Sequence, residues 1–188
     1  MNAKKIGLLG GRGYVGQEIF ELVNHHPKLS ITSAYSSSQA GQAVPGSTKD
    51  NPLRYLSMDL TSLELSNEDA YVLALPNDQS NSYVDKILEH KPDAILLDIS
   101  SDHRFNAAWE YRLPELSKPI SSTKISNPGC YATAMQLMLA PLVDKISGPV
   151  NFFGISGYSG AGASPNPRNN EDLLSSNILA YTMINHLH

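Results

Sequence analysis

Ile6-Gly7-Leu8-Leu9-Gly10-Gly11-Arg12-Gly13-Tyr14-Val15-Gly16 is the stretch whose reading decides the fold. Its first four residues are a short apolar run that ends in glycines, the pattern of a buried strand. From Val15 to His25, apolar residues stand at Val15, Ile19, Phe20, Leu22 and Val23, which is helical spacing. Between strand and helix lies G-x-G-x-x-G (Gly11, Gly13, Gly16), read equally as G-x-x-G-x-x-G (Gly10, Gly13, Gly16). Glycine permits the tight turn and a close backbone approach to a pyrophosphate, and the helix start supplies amide donors and a positive dipole end. The spacing alone is weak evidence; a strand before it and a helix after it make it specific. The competing reading is a glycine turn that packs helix on strand without a ligand.

The residues beyond the next strand, Leu29 to Tyr35, test the cofactor type. NAD enzymes usually place Asp or Glu about 20 residues past the loop, on the ribose 2′-hydroxyl. Here Tyr35-Ser36-Ser37-Ser38-Gln39 stands in that place. No carboxylate repels a phosphate, and the hydroxyls of Ser36, Ser37 and Ser38 can bind one, so NADP is favoured over NAD. Arg12 either adds charge to the cofactor phosphates or is a solvated side chain.

Further along, Ser36 to Met58 is polar and broken by Pro and Gly, which reads mostly as loop. Tyr71 to Leu75 is an apolar strand stopped by Pro76. Ser80 to His90 carries Tyr83, Val84, Ile87 and Leu88 on one helical face. Ala94 to Asp98 is another buried strand, and Lys124 to Ser126 a shorter one. This alternation predicts an α/β fold: a Rossmann-like, doubly wound parallel sheet. Past Asn127 the texture changes. Cys130 to Ala140 is a nearly all-apolar helix broken by Pro141, Val150 to Ile155 reads as a strand, and Ser156 to Asn170 is a long Gly/Ser/Pro/Asn loop. A loop of that length is more often functional or disordered than filler. The expected division is a dinucleotide-binding domain over 1–129 and the start of an α+β catalytic domain over 130–188.

The only cysteine follows the turn Asn127-Pro128-Gly129 and opens the apolar helix. A helix N-terminus favours the thiolate, the form a nucleophile needs. A buried structural cysteine is the alternative. A hydride cofactor beside a nucleophilic Cys130 points to acyl or aldehyde chemistry through a thioester. His186-Leu187-His188 is weak as a metal motif, and no metal is expected. Either histidine suits a general acid or base, or the pair is a frayed tail.

Four strings then carry a family resemblance: Gly10 to Gly16 with Tyr14 and Val15, Leu97-Asp98-Ile99-Ser100-Ser101-Asp102-His103-Arg104-Phe105, Asn127-Pro128-Gly129-Cys130-Tyr131-Ala132-Thr133, and Ser156-Gly157-Tyr158-Ser159-Gly160-Ala161-Gly162. With them the chain resembles the N-acetyl-γ-glutamyl-phosphate reductases of arginine biosynthesis over essentially its whole length. The aspartate-semialdehyde dehydrogenases share the glycine loop and a catalytic cysteine set in another string. The resemblance implies an NADP-dependent oxidoreductase that reduces N-acetyl-γ-glutamyl phosphate to N-acetylglutamate 5-semialdehyde, with Cys130 as nucleophile. Asn185-His186-Leu187-His188 is similar to the family's G-H-x-H segment, which implies His186 or His188 as proton donor. Ser159 and Gly160 lie in what looks like the cofactor-side loop. Leu75-Pro76-Asn77 lies where the family more often has L-P-H, which puts Pro76 beside the cofactor. Members of the family are much longer, so the chain reads as an N-terminal part. A non-catalytic dinucleotide-binding fragment, or a reductase of another semialdehyde, are the alternatives.

Composition sets the outer bounds. With 41% hydrophobic and 17% charged residues the chain is globular rather than disordered. A net charge of −4 without a basic block speaks against nucleic acid and against a polybasic membrane patch. One cysteine excludes an internal disulfide framework. No apolar run reaches the length of a membrane span. The expectation is a cytoplasmic protein, a homo-oligomer, with a small-molecule substrate.

Overall fold

In a computed structural model, which describes residues 3–47, 52–61 and 63–180, the leading apolar run forms β1 (Lys4–Leu9) and the glycine loop leads into α1 (Tyr14–Asn24). The chain continues through β2 (Leu29–Ser36), β3 (Tyr55–Ser57), β4 (Ala70–Leu73), α2 (Ser80–His90), β5 (Ile95–Asp98), β6 (Glu110–Tyr111) and β7 (Lys124–Ser126). Among the described residues these strands make one seven-stranded sheet in the order β3-β2-β1-β4-β5-β7-β6, parallel at every pairing. From β1 the chain builds outward to β2 and β3, then returns to the other side of β1 for β4. The carboxyl ends of β1 and β4 therefore form the switch point, where open α/β sheets leave a crevice for ligands.

Alternation along the strands splits the core into two layers. Leu9, Tyr35, Leu73 and Leu96 face α2, whose Val84 and Ile87 are buried against them. Ile6, Leu8, Ala34 and Val72 face the other way, onto Phe20 and Val23 of α1. Helices on both faces make the sheet doubly wound, as the sequence pattern predicts. On the α2 side, Gly7 leaves room for the ring of Tyr71, since a Cβ there would lie 2.6 Å from Tyr71 Cδ1. The Tyr71 hydroxyl reaches the buried Glu68 carboxylate at 3.0 Å, which also accepts from Ser33 Oγ at 2.7 Å and Thr32 Oγ1 at 3.3 Å. Burial and this neighbouring carboxylate push the Tyr71 phenol up from its ordinary value.

Beyond Pro128 the described residues are different. α3 (Cys130–Leu139) passes into a 3₁₀ turn over Ala140–Lys145, with Pro141 tolerated in its first positions. Short 3₁₀ turns at Tyr158–Ala161 and Pro167–Asn169 and one helical turn, α4 (Glu171–Leu174), follow. The strand expected over Val150 to Ile155 is absent: the segment pairs with no strand among the described residues. An apolar run becomes a strand only where a neighbour completes its hydrogen-bond ladder, and here Phe153 and Ile155 are 92% and 78% exposed. Two short strands were not expected: β3 lies in the stretch read as loop, and β6 in a stretch given no element.

Candidate functional site

Three helices open at the carboxyl edge of the sheet, and two of them, α1 and α3, open alike. Gly13 caps α1 with φ −64° and ψ 162°; Gly129 caps α3 with φ −69° and ψ 162°. Neither end has a side-chain cap or an acidic residue in its first turn. A carboxylate at either place would repel an anionic ligand; its absence leaves the positive end of each helix dipole facing outward.

The loop before α1 is tightly constrained by the chain itself. Gly10 has φ +82°, and a Cβ there would sit 2.2 Å from the Ala74 carbonyl oxygen at the end of β4. A Cβ on Gly16 would lie 2.4 Å from Gly10 O. The amides of Gly10 and Gly11 both donate to Tyr35 O at 3.1 Å, and the Tyr55 hydroxyl donates to Gly11 O at 3.2 Å. Tyr55 lies beneath the loop, and burial pushes its phenol up from the usual value. Gly13 is another matter. Its φ is ordinary and a Cβ there would meet only Gly10 O, at 3.6 Å. Nothing among the described residues requires glycine at 13, so the missing side chain leaves a cradle at the helix start, which fits the pyrophosphate of a dinucleotide. Arg12, Tyr14 and Val15 are exposed around it.

The three serines after β2 divide their work. Ser36 is buried and its Oγ accepts from the amides of Ser38 and Gln39, at 3.4 and 3.2 Å. It shapes the turn from within, so of the three hydroxyls expected to be open to a phosphate this one is not. Ser37 and Ser38 are exposed.

Across the switch point, β5 ends in a polar cluster that sequence reasoning met only as a family string. Asp98 is fully buried and accepts from Ser80 Oγ at 3.1 Å, Ser100 N at 2.9 Å and Ser100 Oγ at 3.0 Å. His103 Nδ1 pairs with the same carboxylate, and its ring stacks on Trp109 with centroids 3.9 Å apart. Arg104, also buried, donates to Ile99 O at 3.0 Å and through Nε to Asn127 O at 2.9 Å. Burial lowers the Arg104 guanidinium from its ordinary value, while the nearby carboxylates of Asp98 and Asp102 oppose the shift. Arg104 thus braces the turn whose next helix begins with Cys130, an exposed thiol. The one signal in the sequence was the string itself, polar and charged residues run together just past an apolar strand.

Tyr14 also lines a cleft of about 500 Å³ with Tyr158, Pro165, Asn166, Glu171 and Leu173. The cleft brings the glycine loop near the 158–161 turn that contains Ser159 and Gly160, both exposed. Pro76 is exposed at the end of β4. Cys130 does not line this cleft. His186 and His188 lie outside the described residues. Among the described residues no helix is long and apolar enough to cross a membrane.

Comparison with known proteins fits this geometry. Residues 5–122 match the family model described as semialdehyde dehydrogenase, NAD binding domain, and residues 130–188 the semialdehyde dehydrogenase, dimerisation domain. The N-acetyl-gamma-glutamyl-phosphate reductase of Xanthomonas axonopodis pv. citri is 43% identical over 98% of this chain and 60% of its own. This chain therefore spans about 60% of the length of such relatives. Among solved structures, aspartate semialdehyde dehydrogenase II of Vibrio cholerae, complexed with ASA, superposes with a TM-score of 0.63 at 16% identity, over 77% of this chain and 48% of that one. The aspartate semialdehyde dehydrogenase of Candida albicans with NADP does so with a TM-score of 0.57 at 19% identity, over 77% and 48%. The family-model match over 5–122, on a parallel sheet with a glycine-capped first helix, establishes that the chain belongs to the semialdehyde dehydrogenase family.

Proposed function

We propose that this chain is the dinucleotide-binding and nucleophile-bearing part of an NADPH-dependent reductase of N-acetyl-γ-glutamyl phosphate. The observation that carries the reading is the placement of Cys130: an exposed thiol at the first residue of a glycine-capped helix, on the same sheet edge as the glycine loop. In this reading residues 1–129 hold the cofactor and residues 130–188 begin the catalytic domain. Gly10, Gly11, Gly13 and Gly16 set the backbone under the pyrophosphate, with Arg12, Tyr14, Val15 and Pro76 around it and Ser159 and Gly160 on the far side. Ser37 and Ser38 meet the 2′-phosphate, on a turn that Ser36 holds. The working protein is a cytoplasmic homo-oligomer.

The chemistry follows from a thiolate beside an acyl phosphate. Cys130 Sγ bonds to the acyl carbon, and phosphate leaves with the electron pair of the broken C–O bond. When bound, NADPH supplies the hydride that reduces the resulting thioester. His186 or His188 gives a proton to the oxyanion and takes it back as the C–S bond breaks, freeing the semialdehyde and returning the Cys130 thiolate. The backbone of Asn127, fixed by Arg104, orients the thiol for attack.

Iodoacetamide labelling tests this reading. Cys130 should be alkylated faster than a free cysteine, and N-acetyl-γ-glutamyl phosphate should protect it. A thiol as slow as free cysteine and indifferent to the acyl phosphate would instead support a non-catalytic dinucleotide-binding protein.

A further inference from the structure

The loop after β4 borders the switch-point crevice: the Ala74 carbonyl and the Leu75 side chain lie against Gly10, and the exposed Pro76 follows them in the chain. Within this loop Asp78 has φ +66°, the only described non-glycine residue in the left-handed region. That conformation is less favourable for a side chain than for glycine, although aspartate tolerates it better than most. Asp102, from the turn after β5, holds it. Its Oδ1 accepts from Asp78 N at 2.7 Å and its Oδ2 from Ser80 N at 2.9 Å. Asn77 answers in the other direction, its Oδ1 accepting from Ser101 N at 3.1 Å. The Asp102 amide is in turn held by Ser100 Oγ at 3.1 Å, and Ser100 is fixed on the buried Asp98.

We propose that Asp102 is a positioning residue for cofactor binding: its carboxylate locks the Pro76–Ser80 loop in the strained shape that completes the β4 wall of the dinucleotide crevice. The role rests on the functional reading above, since it presumes NADPH in that crevice. Both carboxylate oxygens are used, one on the strained residue and one on the start of α2, so the residue replaces the side-chain cap that α2 lacks. Charge-assisted bonds to backbone amides are among the stronger hydrogen bonds, enough to offset one left-handed residue.

The test is fluorescence titration of NADPH with the wild-type chain, Asp102→Ala, Asp102→Asn, Asp78→Gly and the Asp102→Ala/Asp78→Gly pair, alongside amide hydrogen exchange over residues 76–80. Asp102→Ala should weaken NADPH about tenfold and speed exchange at Asp78. Asp102→Asn, which keeps one acceptor, should lose less, and it carries the test if the alanine variant does not fold. Glycine adopts the left-handed conformation without cost. Asp78→Gly should therefore recover about threefold of the lost affinity in the Asp102→Ala background and gain clearly less in the wild type. Affinity within about twofold of wild type in Asp102→Ala, or an equal gain from Asp78→Gly in both backgrounds, would overturn the positioning role. A wild-type chain that does not bind NADPH would overturn the functional reading itself, and the proposal with it.

Discussion

The sheet and the region after it share one chain but are built on different terms. Between Ile6 and Pro128 the strands bury two apolar layers, with Leu8, Leu9, Leu73, Ile87 and Leu96 at 0% exposure. From Cys130 to Ala180 no described residue is buried, although Leu142, Val143, Phe152 and Phe153 lie there. Apolar side chains in a helix that is apolar all round are expected to be covered. The contrast teaches that the sheet carries its own core, while Cys130, the nucleophile of the proposed reaction, opens a helix that follows a turn tied to the sheet edge by the Arg104–Asn127 bond. In the family, residues 130–188 match a dimerisation domain, the kind of region whose apolar surface is completed by contacts beyond itself.

Core truncation should show the largest difference between the two regions. Leu73→Ala should cost about 3 kcal/mol of unfolding free energy, whereas Val143→Ala should stay within about 0.5 kcal/mol. Chemical denaturation of both variants checks this, and similar losses would erase the contrast. Next comes the division of labour within the glycine loop. Gly10→Ala should destabilise by more than about 2 kcal/mol, because its φ is left-handed and its Cβ would meet Ala74 O. Gly13→Ala should leave the melting temperature nearly unchanged yet weaken NADPH at least about tenfold. If both variants lost stability alike, Gly13 would be a packing residue and the cradle would hold nothing.

How much of this was legible before the structure depends on the range of the interactions. The span of α2 is as the periodicity of Tyr83, Val84, Ile87 and Leu88 predicts, and β1, the glycine loop and α1 follow from adjacent residues. β3 escapes notice because its three residues sit inside a polar stretch broken by Pro and Gly, and β6 because two residues show no alternation. Val150 to Ile155 shows the opposite failure: β-type composition without a ladder partner among the described residues. The polar cluster was legible only as a string of letters. Its bonds join Asp98 to Ser80 and Asp102 to Asp78 and Ser80, contacts that exist only once β4 and β5 lie side by side. Glu68, buried among Ser33, Thr32 and Tyr71, gave no local signal at all.

Cofactor choice sharpens the comparison within the cofactor half. The parent should prefer NADPH to NADH. Ser37→Asp should reverse the order through repulsion of the 2′-phosphate and a new bond to the 2′-hydroxyl, as paired fluorescence titrations would read. Equal parent affinities would remove the 2′-phosphate from Ser37 and Ser38. The smallest effect concerns acid stability at the β6–β7 edge. The amide of Ser121 and the guanidinium of Arg112 hold the Glu110 carboxyl below the usual carboxylate range. A group lowered in the folded state stabilises above its unfolded pKa, near 4.3, and that contribution is lost as pH falls through the lower folded value. Glu110→Gln should therefore be slightly less stable at neutral pH and lose less on acidification from about pH 5 to pH 2. Melting curves across that window would show an unchanged acid limb if the interaction were idle.

The central claim is that Cys130 and the glycine loop serve one reaction on one edge of the sheet. Intact-mass measurement of the chain after mixing with N-acetyl-γ-glutamyl phosphate, before and after NADPH is added, tests it most directly. The predicted result is an acyl adduct on Cys130 that NADPH discharges, and that is absent from Cys130→Ser. A chain that never acquires the adduct, or an adduct that persists in the presence of bound NADPH, would contradict it.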